Sequence, residues 1–212
     1  MTVETLAVGL RGTRSYVQGS QILARTAELI AAEAAEPALL VSAKFTKITD
    51  RGVLVAFDAA DLPAAFEVGR AQFAVGKARR VMRFFEVEGP EAPRIDDVPP
   101  STRGLVTTGD GGGHADFAID ATFESYLSAV IECVKALHAG RGRHVTDIWF
   151  TALVGGRLPI ASDYPRAGVL RVTPKIERIV DGRLQTLSVV DTETDRDIPP
   201  PFQICFSCLI GS

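Results

Sequence analysis

Two stretches of the chain repeat their apolar residues every three or four positions, the spacing of one face of an α-helix. In the first, Leu23, Ala27, Ile30 and Ala34 form a stripe, with Ile22 and Leu29 beside it and Gln21, Arg25 and Glu28 opposite. The pattern predicts a helix from Tyr16 or Gly19 to Glu36, stopped by Pro37, whose ring and missing N–H end a helix. In the second, Phe123, Tyr126, Leu127, Val130, Ile131, Val134 and Leu137 form a wider stripe, and Ser128, Glu132 and Lys135 take the polar side. That predicts a helix from Thr122 to His138, with Thr122 as N-cap, Glu124 favourably placed at the positive end of the dipole, and Gly140 ending it.

Elsewhere the apolar residues alternate or run together as in strands. Strands are expected over Ala38–Ile48, Val53–Phe57, Ala71–Val87, His144–Val154, Gly168–Val180, Arg183–Thr192 and Phe202–Ile210. Thr49-Asp50-Arg51-Gly52 reads as a turn, and Asp181-Gly182 as a tight hairpin turn. Shorter strands are expected at Thr5–Leu10 and Ala115–Ala121, each just before a helix. The chain therefore reads twice as short strand, long helix, then antiparallel strands. The expected division is a first half over residues 1–88, a linker over 89–113 rich in Pro and Gly, and a second half over 114–212. Lys44-Phe45-Thr46-Lys47-Ile48 and Trp149-Phe150-Thr151-Ala152-Leu153 echo one another 105 residues apart. A helix with one apolar stripe must bury it, and a curved antiparallel sheet is a natural partner, so the fold class expected is α+β.

This order of elements resembles the hot-dog fold, a long helix wrapped by an antiparallel sheet, and the whole chain resembles a double hot-dog. The likeness is clearest from Ala115 to Ile210, where strand, helix and four following strands come in order. The resemblance implies an enzyme acting on acyl thioesters of coenzyme A or acyl carrier protein, as dehydratase, isomerase, thioesterase or acyltransferase. It also implies a pocket between the halves, near the N-terminal ends of the helices. The alternative it implies is a non-catalytic module that binds an acyl group or a partner protein. Hot-dog dehydratases carry a histidine before the helix and a carboxylate within it. With Gly19 at the family's helix-start glycine, Leu10 and Ala24 fall near those positions, and neither can move a proton.

Two clusters carry candidate chemistry. Arg11-Gly12-Thr13-Arg14-Ser15-Tyr16-Val17-Gln18-Gly19-Ser20 enters the first helix. Exposed amides at a helix start favour a carbonyl oxygen or oxyanion, Gly19 allows close approach, and Arg11 and Arg14 suit a carboxylate or phosphate. Tyr16 is a candidate catalytic donor; Arg11, Arg14, Gln18, Gly19 and Ser20 are candidate substrate-binding residues. The bland reading is a polar loop capping a helix. The second cluster is His114, Asp116, Asp120 and Glu124 before and within the second helix. There His114, oriented by Asp120 or Glu124, would be a general base. Its bland counterpart is a capped helix preceded by a solvated histidine.

Composition narrows the field further. With 46% apolar residues the chain can bury a substantial core, and a net charge of −3 excludes a nucleic-acid backbone footprint. Lys77-Ala78-Arg79-Arg80 reads as a solvated strand face. No apolar run reaches the length of a membrane span and no basic, apolar leader opens the sequence. Three cysteines point to a reducing, cytoplasmic compartment. Cys205 and Cys208 are spaced like a redox or metal pair, but on a strand they point to opposite faces, which favours core cysteines. Asp110, His114 and Asp116 on a glycine-rich loop are too weak a set for a metal site. Gly109–Gly113 lacks the ending of a phosphate-binding loop, and no nucleophile elbow or zinc-binding helix motif occurs. Trp149 reads as core, and His138 and His144 as surface residues flanking the second helix. No cofactor or metal is expected. The expected partners are acyl-coenzyme A or an acyl carrier protein, with homodimer formation as an option.

Overall fold

The computed structural model describes residues 3–34, 36–57, 63, 66–96, 102–108, 112–139, 145–160, 163–194 and 199–210. His144, Asp110, Pro99, Pro100, Gly140 and the start of the glycine-rich run lie outside the described residues. The chain divides into two compact units: residues 1–98 with 158–162, and residues 99–157 with 163–212.

The first unit opens with β1 (Val3–Leu6) and β2 (Leu10–Arg11), followed by α1 (Gly19–Glu33). Then come β3 (Ala38–Phe45), β4 (Arg51–Phe57), β5 (Glu67–Val75), β6 (Ala78–Glu91) and β7 (Arg94–Ile95). Its sheet runs β1-β4-β6-β5-β3, every pairing antiparallel. Helix α1 packs on β3 and β1 and buries Ile22, Leu23, Ala27 and Ile30, the stripe that the periodicity marks. The opposite face differs from the expectation. Gln21 is 1% exposed, because the whole first turn is enclosed: Ser20, Gln21, Ile22, Leu23 and Ala24 are all buried. A helical wheel detects a stripe but not a buried end.

The long run expected over Ala71–Val87 is two strands. Gly76, at φ +54°, turns the chain between β5 and β6, and Lys77 completes the turn. Glycine adopts that backbone region at no steric cost, so one residue splits the run. Arg79 and Arg80 follow on a solvent-facing stretch, where Arg80 pairs with Glu33 at 3.2 Å.

The second unit contains β8 (Thr102–Thr107), β9 (Gly113–Ala118), α2 (Phe123–Ala139) and β10 (Val145–Val154). The chain next supplies β11 (Leu158–Pro159) to the first unit, where it pairs with β3, and returns for β12 (Ala167–Val180), β13 (Arg183–Glu193) and β14 (Phe202–Ile210). The antiparallel sheet runs β10-β14-β13-β12-β9-β8. Within the stretch read as a linker, 89–113, lie the end of β6, all of β7 and β8 and the start of β9. Flanking prolines and glycines masked Thr102–Thr107, a short edge-strand sequence. Helix α2 packs on β8, β9, β10 and β12 through Tyr126, Leu127, Val130, Val134 and Leu137; Ser128 is buried with them, against the expectation. Asp181 and Gly182, at φ +49° and +72°, form the tight turn between β12 and β13 that the sequence announces. The echoed Phe45 and Phe150 fall on β3 and β10, each the first strand after its helix.

Candidate functional site

In the first unit, the approach to α1 is tied down from a distance. The Leu10 amide donates to Pro93 O at 2.9 Å, β2 pairs in parallel with β7, and Arg94 donates to Gly12 O at 3.0 Å. Gly9 is required here: a Cβ would sit 2.5 Å from Pro93 O. Further on, the Val17 amide donates to Thr49 O at 2.8 Å.

This fastening separates the first cluster into two layers. Arg11 (5% exposed), Gln18 (5%) and Ser20 (1%) are inside; Arg14, Tyr16 and Gly19 are half-buried. Gln21 joins the inner layer. Its carboxamide, oriented to suit both neighbours, donates to Gly9 O at 2.9 Å and accepts from Arg11 Nε at 2.6 Å. A buried guanidinium needs such partners, since burying an unsatisfied charge is prohibitive. Gln18 occupies the N-cap position in extended conformation, but its side chain does not cap the helix, and its Oε1 has no hydrogen-bond partner among the described residues. Gln21 was the residue sequence reasoning missed; its only signal was a polar side chain within the first helical turn.

In the second unit, alternation along β9 buries Gly113, Ala115 and Phe117 and turns His114 and Asp116 outward. His114 lies opposite Arg171, which makes a bidentate pair with Glu193 at 2.5 and 2.9 Å. Arg171 holds the Glu193 carboxyl below the usual carboxylate range, with a smaller pull from His114. His114 therefore belongs to a charge ladder on the outer sheet face. Asp120 and Glu124 belong to the entrance of α2. There Ile119 N donates to Arg166 O at 2.8 Å, and Thr122 N to Asp120 O at 2.7 Å. Thr122 is the N-cap, its Oγ1 accepting from Ser125 N at 3.1 Å. Asp120 is exposed and Glu124 half-buried. The fold thus brings two of the expected acid–base residues to one helix end and places the third on a different surface. At the far end of α2, His138 is 1% exposed, not a surface residue; it packs on Phe206 and shares a hydrogen bond with Thr186 Oγ1 at 3.0 Å. Trp149 is half-buried, with the Arg183 guanidinium 4.7 Å over its ring.

At Ala121, the residue after Asp120 in the chain, opens a cleft of about 770 Å³, lined also by Asp163, Tyr164, Arg166, Gly168 and Thr194 among others. Tyr164 is the aromatic residue among those that line it. Tyr164 packs edge-on against Phe123 (centroids 6.0 Å apart) and close to Tyr126 (4.9 Å), whose hydroxyl bonds Thr192 Oγ1 at 2.7 Å. Burial pushes both phenols well above their ordinary range, so they remain neutral donors. No sequence motif marks 163–168; the cleft arises because this segment bonds to Ile119 and Ala121 just before the helix. Among the described residues no three His, Cys, Asp or Glu side chains group as metal ligands.

No protein-family model matches the sequence, and no curated protein matches it either. Solved structures do. GphF dehydratase 1 matches with a TM-score of 0.53 at 11% identity, over 99% of this chain and 93% of that one. A Thermobifida fusca protein described as a thioesterase II matches with a TM-score of 0.51 at 12% identity, over 99% and 96%. The tesB protein of Mycobacterium avium subsp. paratuberculosis matches with a TM-score of 0.50 at 14% identity, over 99% and 92%. The fold is a double hot-dog. Within this double hot-dog each unit carries one central helix on its own antiparallel sheet, and the two helix entrances differ in chemistry. Tyr16 stands two residues before the N-cap of α1, and Asp120 two residues before that of α2.

Proposed function

We propose that this double hot-dog hydrolyses acyl thioesters at the entrance of α2. The observation that carries the reading is the exposed residue Asp120, which precedes the cleft-lining Ala121 in the chain and stands two residues before the capped start of α2. The fold supports the substrate class, since a dehydratase and a thioesterase II share it across nearly their whole length. Hydrolysis is favoured over dehydration by the placement of the two histidines among the described residues. Dehydration needs a base for the α-proton and an acid for the departing hydroxyl. His114 faces outward on β9, and His138 lies buried at the far end of the helix. Hydrolysis asks for less: a carboxylate to hold and deprotonate a water, and N–H groups to receive the oxyanion. Water attacks the thioester carbonyl, Asp120 takes its proton, and the tetrahedral species collapses to the acid. The thiolate leaves and recovers that proton as the thiol.

Arg166 is exposed on the cleft and suits the phosphate of a phosphopantetheine arm, which coenzyme A and a carrier protein both present. Arg11, Gln18, Gly19 and Ser20, with Arg14 and Tyr16 outside them, form a second polar helix entrance fit to hold a substrate carbonyl or carboxylate.

Asp120→Asn is expected to lower kcat for acyl-coenzyme A hydrolysis by roughly 100-fold or more, the scale of a lost general base, with the melting temperature unchanged. Full activity in that variant would refute the assignment. The second reading, acyl binding without turnover, is favoured by the absence of a histidine beside Asp120 among the described residues. It predicts thermal stabilisation by acyl-coenzyme A with no thiol released.

A further inference from the structure

We infer that Tyr164 sets an upper limit on the length of the acyl group, so that the ligand class is a short-chain acyl thioester. The inference rests on the α2 entrance being the acyl site. An acyl group arriving at Ala121 meets Tyr164 at once, because Tyr164 N is bonded to Ala121 O at 3.4 Å and Tyr164 is among the residues that line the cleft. Tyr164 is 2% exposed and backed by Phe123 and by Tyr126, which is 0% exposed. The hydroxyl bond from Tyr126 to Thr192 fixes the second ring in place. The neighbouring wall is as solid. A Cβ on Gly168 would meet Glu193 O and Thr194 Cγ2, each at 2.6 Å, and Phe117 Cε1 at 3.0 Å. Among the described residues, packed atoms lie behind both Tyr164 and Gly168, and an alkyl tail continuing past either toward the core under α2 would meet them. A longer chain would have to displace a packed ring or lie back along the open side in water, and both forfeit the apolar burial that makes additional methylenes favourable.

The test compares acetyl-, butyryl-, octanoyl- and palmitoyl-coenzyme A as substrates of the wild-type chain, Tyr164→Ala, Tyr164→Leu and Tyr164→Phe. In parallel, non-hydrolysable S-alkyl-coenzyme A thioethers of the same lengths are titrated against Asp120→Asn. For the wild type, kcat/KM is expected to drop by about 10-fold or more between butyryl and octanoyl, as for a pocket that excludes added methylenes. Tyr164→Ala should reverse much of that drop, Tyr164→Phe should keep the wild-type length profile, and the thioethers should show the same cut-off in binding. Tyr164→Leu removes the ring while keeping an apolar side chain, so it reports on length if the alanine variant does not fold. Equal use of octanoyl and butyryl esters by the wild type, or an unchanged profile in a folded Tyr164→Leu, would overturn the inference while leaving hydrolysis by Asp120 standing. Absence of hydrolysis with a sharp thioether cut-off would do the reverse. Failure to bind any thioether would overturn both.

Discussion

Glu86 shows how a single side chain ties this protein to pH. Its carboxylate accepts from the buried Thr49 side chain and from Lys47 Nζ at 3.1 Å, and these bonds hold its pKa below the ordinary carboxylate value, Thr49 contributing most. The folded state therefore prefers the ionised form. Its contribution to stability is complete above the unfolded pKa and is lost as the pH falls through the lower folded one. The urea midpoint of the wild type should decline between about pH 6 and pH 3 more steeply than that of Glu86→Gln, which has no charge to lose. Cys133 illustrates the opposite pressure: burial pushes its thiol up to about 12. In the native protein near pH 8 it should stay unlabelled by a thiol-specific reagent and react only in denaturant, since the thiolate is the reactive form. The strand argument for Cys205 and Cys208 holds at this scale too. Cys208 is buried with Phe202, Ile204 and Phe206, whereas Cys205, facing the other way, is half-buried. Arg11 and Gln21 were not legible in the same way. Arg11 pairs with a strand more than 70 residues away in the chain, Gln21 is hydrogen-bonded to Arg11 in turn, and local periodicity carries no record of that.

At the scale of elements, the two helices were the most readable features because their stripes are wide and their stops chemically distinct. Ile30 and Glu28 make the contrast measurable. Ile30 is 0% exposed against the sheet, so Ile30→Ala should cost about 2–5 kcal/mol in chemical denaturation, while Glu28→Ala on the exposed side should stay within about 0.5 kcal/mol. The β12–β13 hairpin was equally clear, because Asp181-Gly182 supplies the two left-handed residues such a turn needs. The hairpin at Gly76 was hidden: Gly-Lys is a weaker turn signal, and apolar residues continue on either side of it. The edge strand β8 was lost for a different reason. Its six residues are too few to outweigh the prolines and glycines around them.

At the scale of the molecule, the order strand, helix, strands was visible twice in the sequence, and that repetition led to the double hot-dog. The cleft at Ala121 was not visible, because its walls come from 121, 163–168 and 194, segments that only the folded sheet brings together. The fastening of α1 has a kinetic consequence. Its entrance is locked by β2 pairing with β7 and by Arg94 reaching Gly12, a separation of 82 residues. Closing so long a loop is entropically costly and comes late. During refolding, far-ultraviolet dichroism should recover before a fluorescent probe placed at Tyr16 reaches its native signal. The polar threshold of the first helix is then the last part of that unit to set, and the first to loosen when the protein is warmed.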